Sequence, residues 1–495
     1  MHTAHPPRTT ARGLRRRLAA ALLAAAALLP LPGCGRAPAT DSAAGTTVIE
    51  FWDFPHLPET NAYLQSAMES FERENPGVRI RYTRLPWQDG QQKVILSVNS
   101  GQPPDVCGQV GVSSSFIAQD VLEPMNLYLD PLRDDFHPSY IDAVKYRGTV
   151  YATPWYKACY VMLLNLDVFD RLGVKPPPGG QWTWDEFLAT MKALTKHETP
   201  DGTLRDGVAP AGSGTGVRQY YGLVSNLGPM EYEAYSIVFN TGGRILRRAT
   251  DGNIVSAITD PEFVAGVRRL ADLEFTHRVA MPGIGAMTQE QSWGVWRDSR
   301  RVAATIQGAW CITAVERYNQ EVERTNARKR AEGREREVVA PIRFAIAAPP
   351  SNDASTSAVL GSTGLGTFVI FRQKDDAKRD LCAKFVLHLI RGEGQRVLRH
   401  ENVYPSLRSA GNPHAGNPEL EPVFALFPDG VLSPLLPGGE RVDRVLQQEI
   451  QKALLRDPRT GAPQATPEEA CAAADAKVSA IIARALRRFG ERNLE

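Results

Sequence analysis

Between residues 48 and 83 the hydrophobic pattern changes period twice, and that change limits the fold more than any other feature of the chain. Val48-Ile49-Glu50-Phe51-Trp52 is β-branched and aromatic, and reads as a strand. Leu64, Met68 and Phe71 then recur at i, i+4 and i+7 on one helix face, and Asn75-Pro76-Gly77 stops the helix. Val78, Ile80 and Tyr82 alternate with Arg79, Arg81 and Thr83, which predicts a half-exposed strand. Strand, helix and strand in so short a stretch predict a parallel βαβ unit with a right-handed crossover. The chain is therefore expected to be α/β.

Further helices follow from their start signals. Thr183-Trp184-Asp185-Glu186 is a capping box opening a helix through Phe187, Met191 and Leu194. Thr259-Asp260-Pro261-Glu262 is read the same way, before Val264, Val267 and Leu270. A helix is expected over 380–390, and two more over 441–456 and 467–488. The charged run 317–337 is read as a solvated helix or loop.

The N-terminus carries five arginines (8, 12, 15, 16 and 17), then an apolar run from Leu18 to Leu31, then Leu31-Pro32-Gly33-Cys34. A basic start before a short apolar segment is an export signal, too short for a comfortable membrane span. The last four residues resemble a bacterial lipobox, with Pro32 where a smaller residue is usual. That resemblance implies cleavage before Cys34 and lipid on its thiol, leaving an exported, membrane-anchored lipoprotein. Residues 34–46 are small and polar, and read as a flexible tether.

Removing residues 1–33 moves the formal charge from +2 to −3, and no basic stripe for nucleic acid remains. The 462 residues left exceed one ordinary domain, so two lobes are expected. Cys107, Cys159, Cys311, Cys382 and Cys471 are scattered without a C-x-x-C pair, and read mainly as buried hydrophobes, with one disulfide as the alternative. The histidines show no H-x-x-x-H spacing, so no metal site is expected, nor any cofactor. The glycine runs at 212–216 and 361–366 lack the Lys-Ser/Thr ending of a phosphate loop, and Gly111-Val112-Ser113 lacks the closing glycine of a nucleophile elbow. The chain is read as a non-enzyme.

Several stretches in order resemble the extracellular solute-binding proteins of bacterial ABC importers, in particular those taking sugars and oligosaccharides. They are Phe71 to Val78, Pro86-Trp87, Ser100 to Val106, Tyr151 to Tyr156, Asn165 to Phe169 and Trp182 to Phe187. Val302 to Trp310, Gly364-Leu365-Gly366, Gly392 to Gln395 and Tyr404-Pro405-Ser406-Leu407 complete the series. The resemblance implies a two-lobed periplasmic-binding-protein-like fold with an interlobe ligand cleft and about three crossings. It places 47–157 plus 364–403 in an N-terminal lobe and 158–363 plus 404–495 in a C-terminal lobe. The implied protein is a monomer that presents a carbohydrate to the transmembrane subunits of a permease.

A sugar offers flat C–H faces and a rim of hydroxyls, so its site needs aromatic platforms, worth about 1 kcal/mol each beyond area burial, and charge-assisted hydrogen bonds. Trp52, Asp53 and Phe54 lie just past the first strand, at the carboxyl end where open α/β sheets bind ligands. Gln109 follows another strand-like segment and offers an amide. The resemblance puts Trp155 and Tyr156 at a hinge facing the cleft, and makes Trp310 the leading platform. It also brings Ser362, Thr363 and Gly364 near ligand where the chain recrosses, with Tyr232 and Arg408 as weaker candidates. Lys157 is read as solvated, Trp293 and Trp296 as core, and Trp182 and Trp184 as structural. Alternatives are the same fold holding glycerol phosphate, a polyamine or a peptide, a sensor that presents ligand to a membrane kinase, and a surface-anchored glycoside hydrolase using Asp53.

Overall fold

The computed structural model describes residues 45–110, 114–227, 233–250, 253–432 and 439–489. The export segment, Cys34 and Tyr232 lie outside the described residues, as do the side chains of Ser362 and Thr363. Among the described residues, no helix is long and apolar enough to cross a membrane.

An eleven-stranded sheet organises the body. Its strands are β1 (Thr47–Asp53), β2 (Val78–Arg84), β3 (Val106–Gly108), β4 (Thr153–Asn165), β5 (Lys196–Glu198), β6 (Leu204–Asp206) and β7 (Arg218–Val224), then β8 (Val302–Gly308), β9 (Phe344–Ala347), β10 (Ser362–Ile370) and β11 (Tyr404–Pro405). The path runs β2-β1-β3-β10-β4-β8-β7-β5-β6, with β9 and β11 also on β4. β1 and β3 are parallel, as are β7 and β8.

Strand β4 belongs to both halves. Up to Cys159 it pairs with β10 and β11, and from Tyr160 onward with β8 and β9. Nearly every residue along it is buried, so it shows no alternation. Two hydrophobic cores form on either side of that switch. One gathers Phe51, Leu64, Phe71, Trp155, Phe368 and Phe385, and the other Val161, Phe187, Phe263, Ile306 and Val478. The chain passes between them along β4, again entering β10, and again near β11, where Val403 and Tyr404 pack into different cores. The fold is two-lobed α/β.

The longer helices are α1 (Pro58–Glu74), α2 (Gly90–Asn99), α3 (Trp184–Leu194), α4 (Pro261–Phe275), α5 (Gln289–Ser299), α6 (Cys311–Ala331), α7 (Asp376–Ile390), α8 (Gly439–Glu449) and α9 (Pro467–Phe489). The capping box of α3 forms in full: Thr183 Oγ1 accepts from the Glu186 amide, and the Glu186 carboxylate accepts from the Thr183 amide. The expected box at α4 does not form. Asp260 is its N-cap residue with no side-chain cap bond, and Pro261 starts the helix by its fixed φ. Helix α7 starts at Asp376, four residues before the expected 380, because Asp375 caps it through the Ala377 amide.

Cys107, Cys159, Cys311, Cys382 and Cys471 are free and buried. Burial pushes the thiols of Cys382 and Cys471 up to about 12, which suits them as small hydrophobes.

Candidate functional site

Two groups of side chains gather beyond the carboxyl ends of parallel strands, one in each lobe. In the first lobe, Asp53 ends β1 fully buried, its carboxylate accepting from the Phe54 amide at 2.8 Å and lying 3.0 Å from His56 Nε2. Glu401 accepts from the Leu57 amide at 2.8 Å and lies 3.9 Å from His56 Nδ1. Burial opposes charge on the imidazole, yet Asp53 and Glu401 outweigh it, and the His56 pKa is raised. This sets a pH dependence. The His56 contribution to stability is complete below the ordinary histidine pKa of about 6.5 and is lost as pH rises through the raised folded value. Chemical denaturation of wild type and His56→Gln should therefore differ most at acidic pH and converge above that value.

Gly108, across from this carboxylate on β3, has no room for a side chain. A Cβ there would run into Asp53 Oδ1. Gly108→Ala is expected to displace Asp53 and lower stability by about 1–3 kcal/mol, the usual range for overpacking, measurable by urea denaturation. The next residue, Gln109, takes φ +59° and donates its amide to Thr367 O at 2.8 Å. Its Oε1 accepts from the Tyr156 hydroxyl at 3.0 Å, while its Nε2 is buried with no partner. Burial, then the charges of Glu401 and Asp53, keep the Tyr156 phenol neutral and a donor.

In the second lobe the ends of β7 and β8 carry Asn226 and Gln307. Gln307 Nε2 donates to Ser292 Oγ at 2.9 Å, and Ser292 Oγ donates to Asn226 Oδ1 at 2.7 Å. This buried network ties helix α5 to both strand ends. It fixes Trp293, next to Ser292, against Trp310, two residues past β8. The Trp293 and Trp310 rings meet edge to face at 5.5 Å, and Trp296 stacks behind Trp293 at 5.7 Å. A Cβ at Gly308 would collide with Cδ1 and Nε1 of the Trp310 indole, so glycine lets that edge of the ring approach the strand end. Trp310 remains 36% exposed.

Helix α6, which Trp310 precedes, reaches toward the first lobe. Asn402 Nδ2 donates to Thr313 Oγ1 at 2.7 Å, Thr313 donates to His400 O at 3.2 Å, and Arg317 pairs with Glu59 at 3.1 Å. Glu401 lies between the two residues that bond Thr313, so the Asp53–His56–Glu401 cluster and the start of α6 share one neighbourhood.

The other expected residues fall differently. Trp155 is fully buried in the first core and donates to Gly394 O at 2.7 Å, so neither face is open as a platform. Phe54 is also buried, stacked under Trp87. Trp52 is half-buried opposite Cys107. Arg408 is exposed and its guanidinium donates to Asp134 O, which joins it to neither cluster. Ser362 opens β10 opposite Cys159, and Gly364 takes φ +116° opposite Ala158 at a register shift. Lys157 is not solvated: it is fully buried, donates to the Phe427 and Gly430 carbonyls, and burial lowers its pKa. Trp293 is not only core, since it braces Trp310. His56, Glu401 and the Gln307 network carried no sequence signal. Trp87 did, as an aromatic in a Pro-Trp pair past a strand. Among the described residues no metal-ligating cluster forms.

A family model described as bacterial extracellular solute-binding protein matches residues 66–415, more than half of the chain. The chain belongs to this family. A binding protein of Brucella abortus is 22% identical over 426 residues, covering 84% of this chain and 90% of that one. A multiple sugar-binding protein of Streptococcus mutans is 28% identical over 176 residues, covering 34% of this chain and 39% of that one. Among solved structures, the cyclic alpha-maltosyl-1,6-maltose binding protein of Arthrobacter globiformis superposes with a TM-score of 0.65 at 18% identity, covering 89% of this chain and 100% of that one. An ABC substrate-binding protein of Listeria monocytogenes in complex with cycloalternan gives 0.64 at 19%, covering 88% and 99%. These likenesses place the solute-binding protein in the two-lobed maltose-binding-protein-like fold, and its relatives are binding proteins, not enzymes.

Proposed function

We propose that this solute-binding protein is the substrate-binding component of an ABC importer, capturing a mono- or oligosaccharide between its lobes and presenting it to the permease. Lipid on Cys34 would hold it at the outer face of the membrane. The observation that carries the carbohydrate reading is Trp310, an exposed indole set edge-on against Gly308 and braced by Trp293 at the end of β8. A flat apolar face beside buried amides suits a sugar ring. The unpartnered Gln109 Nε2 supplies a donor for a hydroxyl. Sugar relatives and sugar-bound structural neighbours support the same reading. Capture follows if ligand contacts both lobes better when they approach.

The test is thermal denaturation with a sugar panel. Ligand at a hundred times its Kd stabilises by about 2.7 kcal/mol, a visible rise in Tm. A rise with a carbohydrate supports the reading. A rise only with glycerol phosphate, a polyamine or a peptide overturns it, and sugar release from a glycan favours an enzyme.

A further inference from the structure

A cavity of about 640 Å³ opens on the first lobe between helices α1 and α7, and none of the cleft candidates lines it. Its two walls are helix faces. On α1, Tyr63, Ser66 and Ser70 recur at i, i+3 and i+7. On α7 and its C-cap, Lys384, His388 and Arg391 recur at i, i+4 and i+7. One wall therefore presents hydroxyls and the other cations, with Ala67 and Leu387 adding apolar lining.

The usual partners of such cations are engaged elsewhere. Basic residues near a helix C-terminus commonly serve its free carbonyls. Here the Leu389 carbonyl accepts from the Tyr63 hydroxyl at 2.8 Å, and the Ile390 carbonyl from Gln395 Nε2 at 2.7 Å. The two acids in the lining also have partners. Asp380 accepts from the Tyr128 hydroxyl and pairs with Arg379 at 3.3 Å, while Glu393 pairs with Arg396 at 2.8 Å. Neither arginine lines the cavity. Lys384 donates to the neutral Asn75 Oδ1 at 2.7 Å, and among the described residues no carboxylate pairs with Arg391. His388 Nε2 lies 2.8 Å from Ser70 Oγ, with Nδ1 4.0 Å from Glu74, outside the lining. Two uncompensated cations thus share one concave wall, which focuses a positive potential into the cavity.

We propose that this cavity is a second binding site, separate from the interlobe cleft, for a free organic anion: a phosphate or carboxylate on a small apolar body. Arg391 grips the oxyanion with two parallel N–H groups and Lys384 adds a point charge. Ser66 supplies a hydroxyl donor. The apolar body lies against Tyr63, Ala67 and Leu387. The cavity volume falls within the roughly 300–1,000 Å³ of small-molecule sites. The site is independent of which solute the cleft takes.

The experiment is calorimetric titration with phenyl phosphate and benzoate, using benzyl alcohol and benzylamine as neutral and cationic controls. Wild type should give saturable heat with an anion, weakened by added salt, and none with the controls. The double variant Lys384→Gln, Arg391→Gln should bind that anion roughly tenfold or more weakly. Its Tm should match wild type, because both side chains are exposed. A solute that fills the cleft should bind the double variant as it binds wild type. Silence from both anions, equal heat from benzyl alcohol, or full anion affinity in the double variant overturns the site. Dihexanoyl phosphatidylglycerol below its micelle concentration is the last probe. Heat from it, with phenyl phosphate and benzoate silent, overturns a free solute in favour of a lipid head group.

Discussion

Trp155→Ala should lose about 3–5 kcal/mol of folding stability, the range for removing a large aromatic from a core. Trp155 is fully buried on β4, between His56 at 5.4 Å and Phe368 at 5.1 Å, and its indole hydrogen bond to Gly394 O crosses to the segment after α7. Truncation opens a cavity at the strand shared by both lobes and leaves a buried carbonyl unsatisfied, which adds to the loss. A domain of ordinary stability holds only about 5–15 kcal/mol. The variant should therefore unfold at much lower urea, or fail to accumulate. Wild-type urea stability in this variant would mean that Trp155 is not the core residue described here.

Trp310→Ala should do the opposite. The ring is exposed and only its edge lies against a glycine, so its removal leaves the cores intact and Tm close to wild type. Sugar affinity should fall at least tenfold, equivalent to about 1.4 kcal/mol, because the indole face and the edge contact from Trp293 disappear together. Calorimetry with the sugar that shifts the wild-type Tm most is the measurement. Loss of folding with unchanged affinity per folded molecule would make Trp310 a core residue.

These two tryptophans show how far the sequence reaches. The strand-helix-strand start was legible because β1, α1 and β2 each keep one clear period, with Ile49 and Phe51 buried on β1 and Leu64, Met68 and Phe71 on α1. β4 is different. When both faces of a strand are covered, alternation vanishes, so nothing local distinguishes Trp155 from a cleft aromatic or Lys157 from a solvated lysine. Lys157 is accommodated only because two carbonyls 270 and 273 residues further along the chain meet its ammonium. The capping box at α3 is chemistry within four residues and could be read directly, whereas at α4 the proline made a side-chain cap unnecessary. The Asp53–His56–Glu401 cluster joins residues from opposite ends of a lobe, and only the tertiary fold brings Glu401 to it. Arg408 follows a motif that pointed to the cleft, but the 134–135 loop holds it through Asp134 O and the Asp135 carboxylate bonds to Ser409.

The central claim is that carbohydrate is the captured solute. Isothermal titration of the wild-type protein tests it most directly, with mono- and oligosaccharides on one side and glycerol phosphate, polyamines and peptides on the other. Saturable heat at a stoichiometry of one from a carbohydrate, with none from the other classes, is the predicted result. Saturable binding of a non-sugar, with every carbohydrate silent, would contradict it.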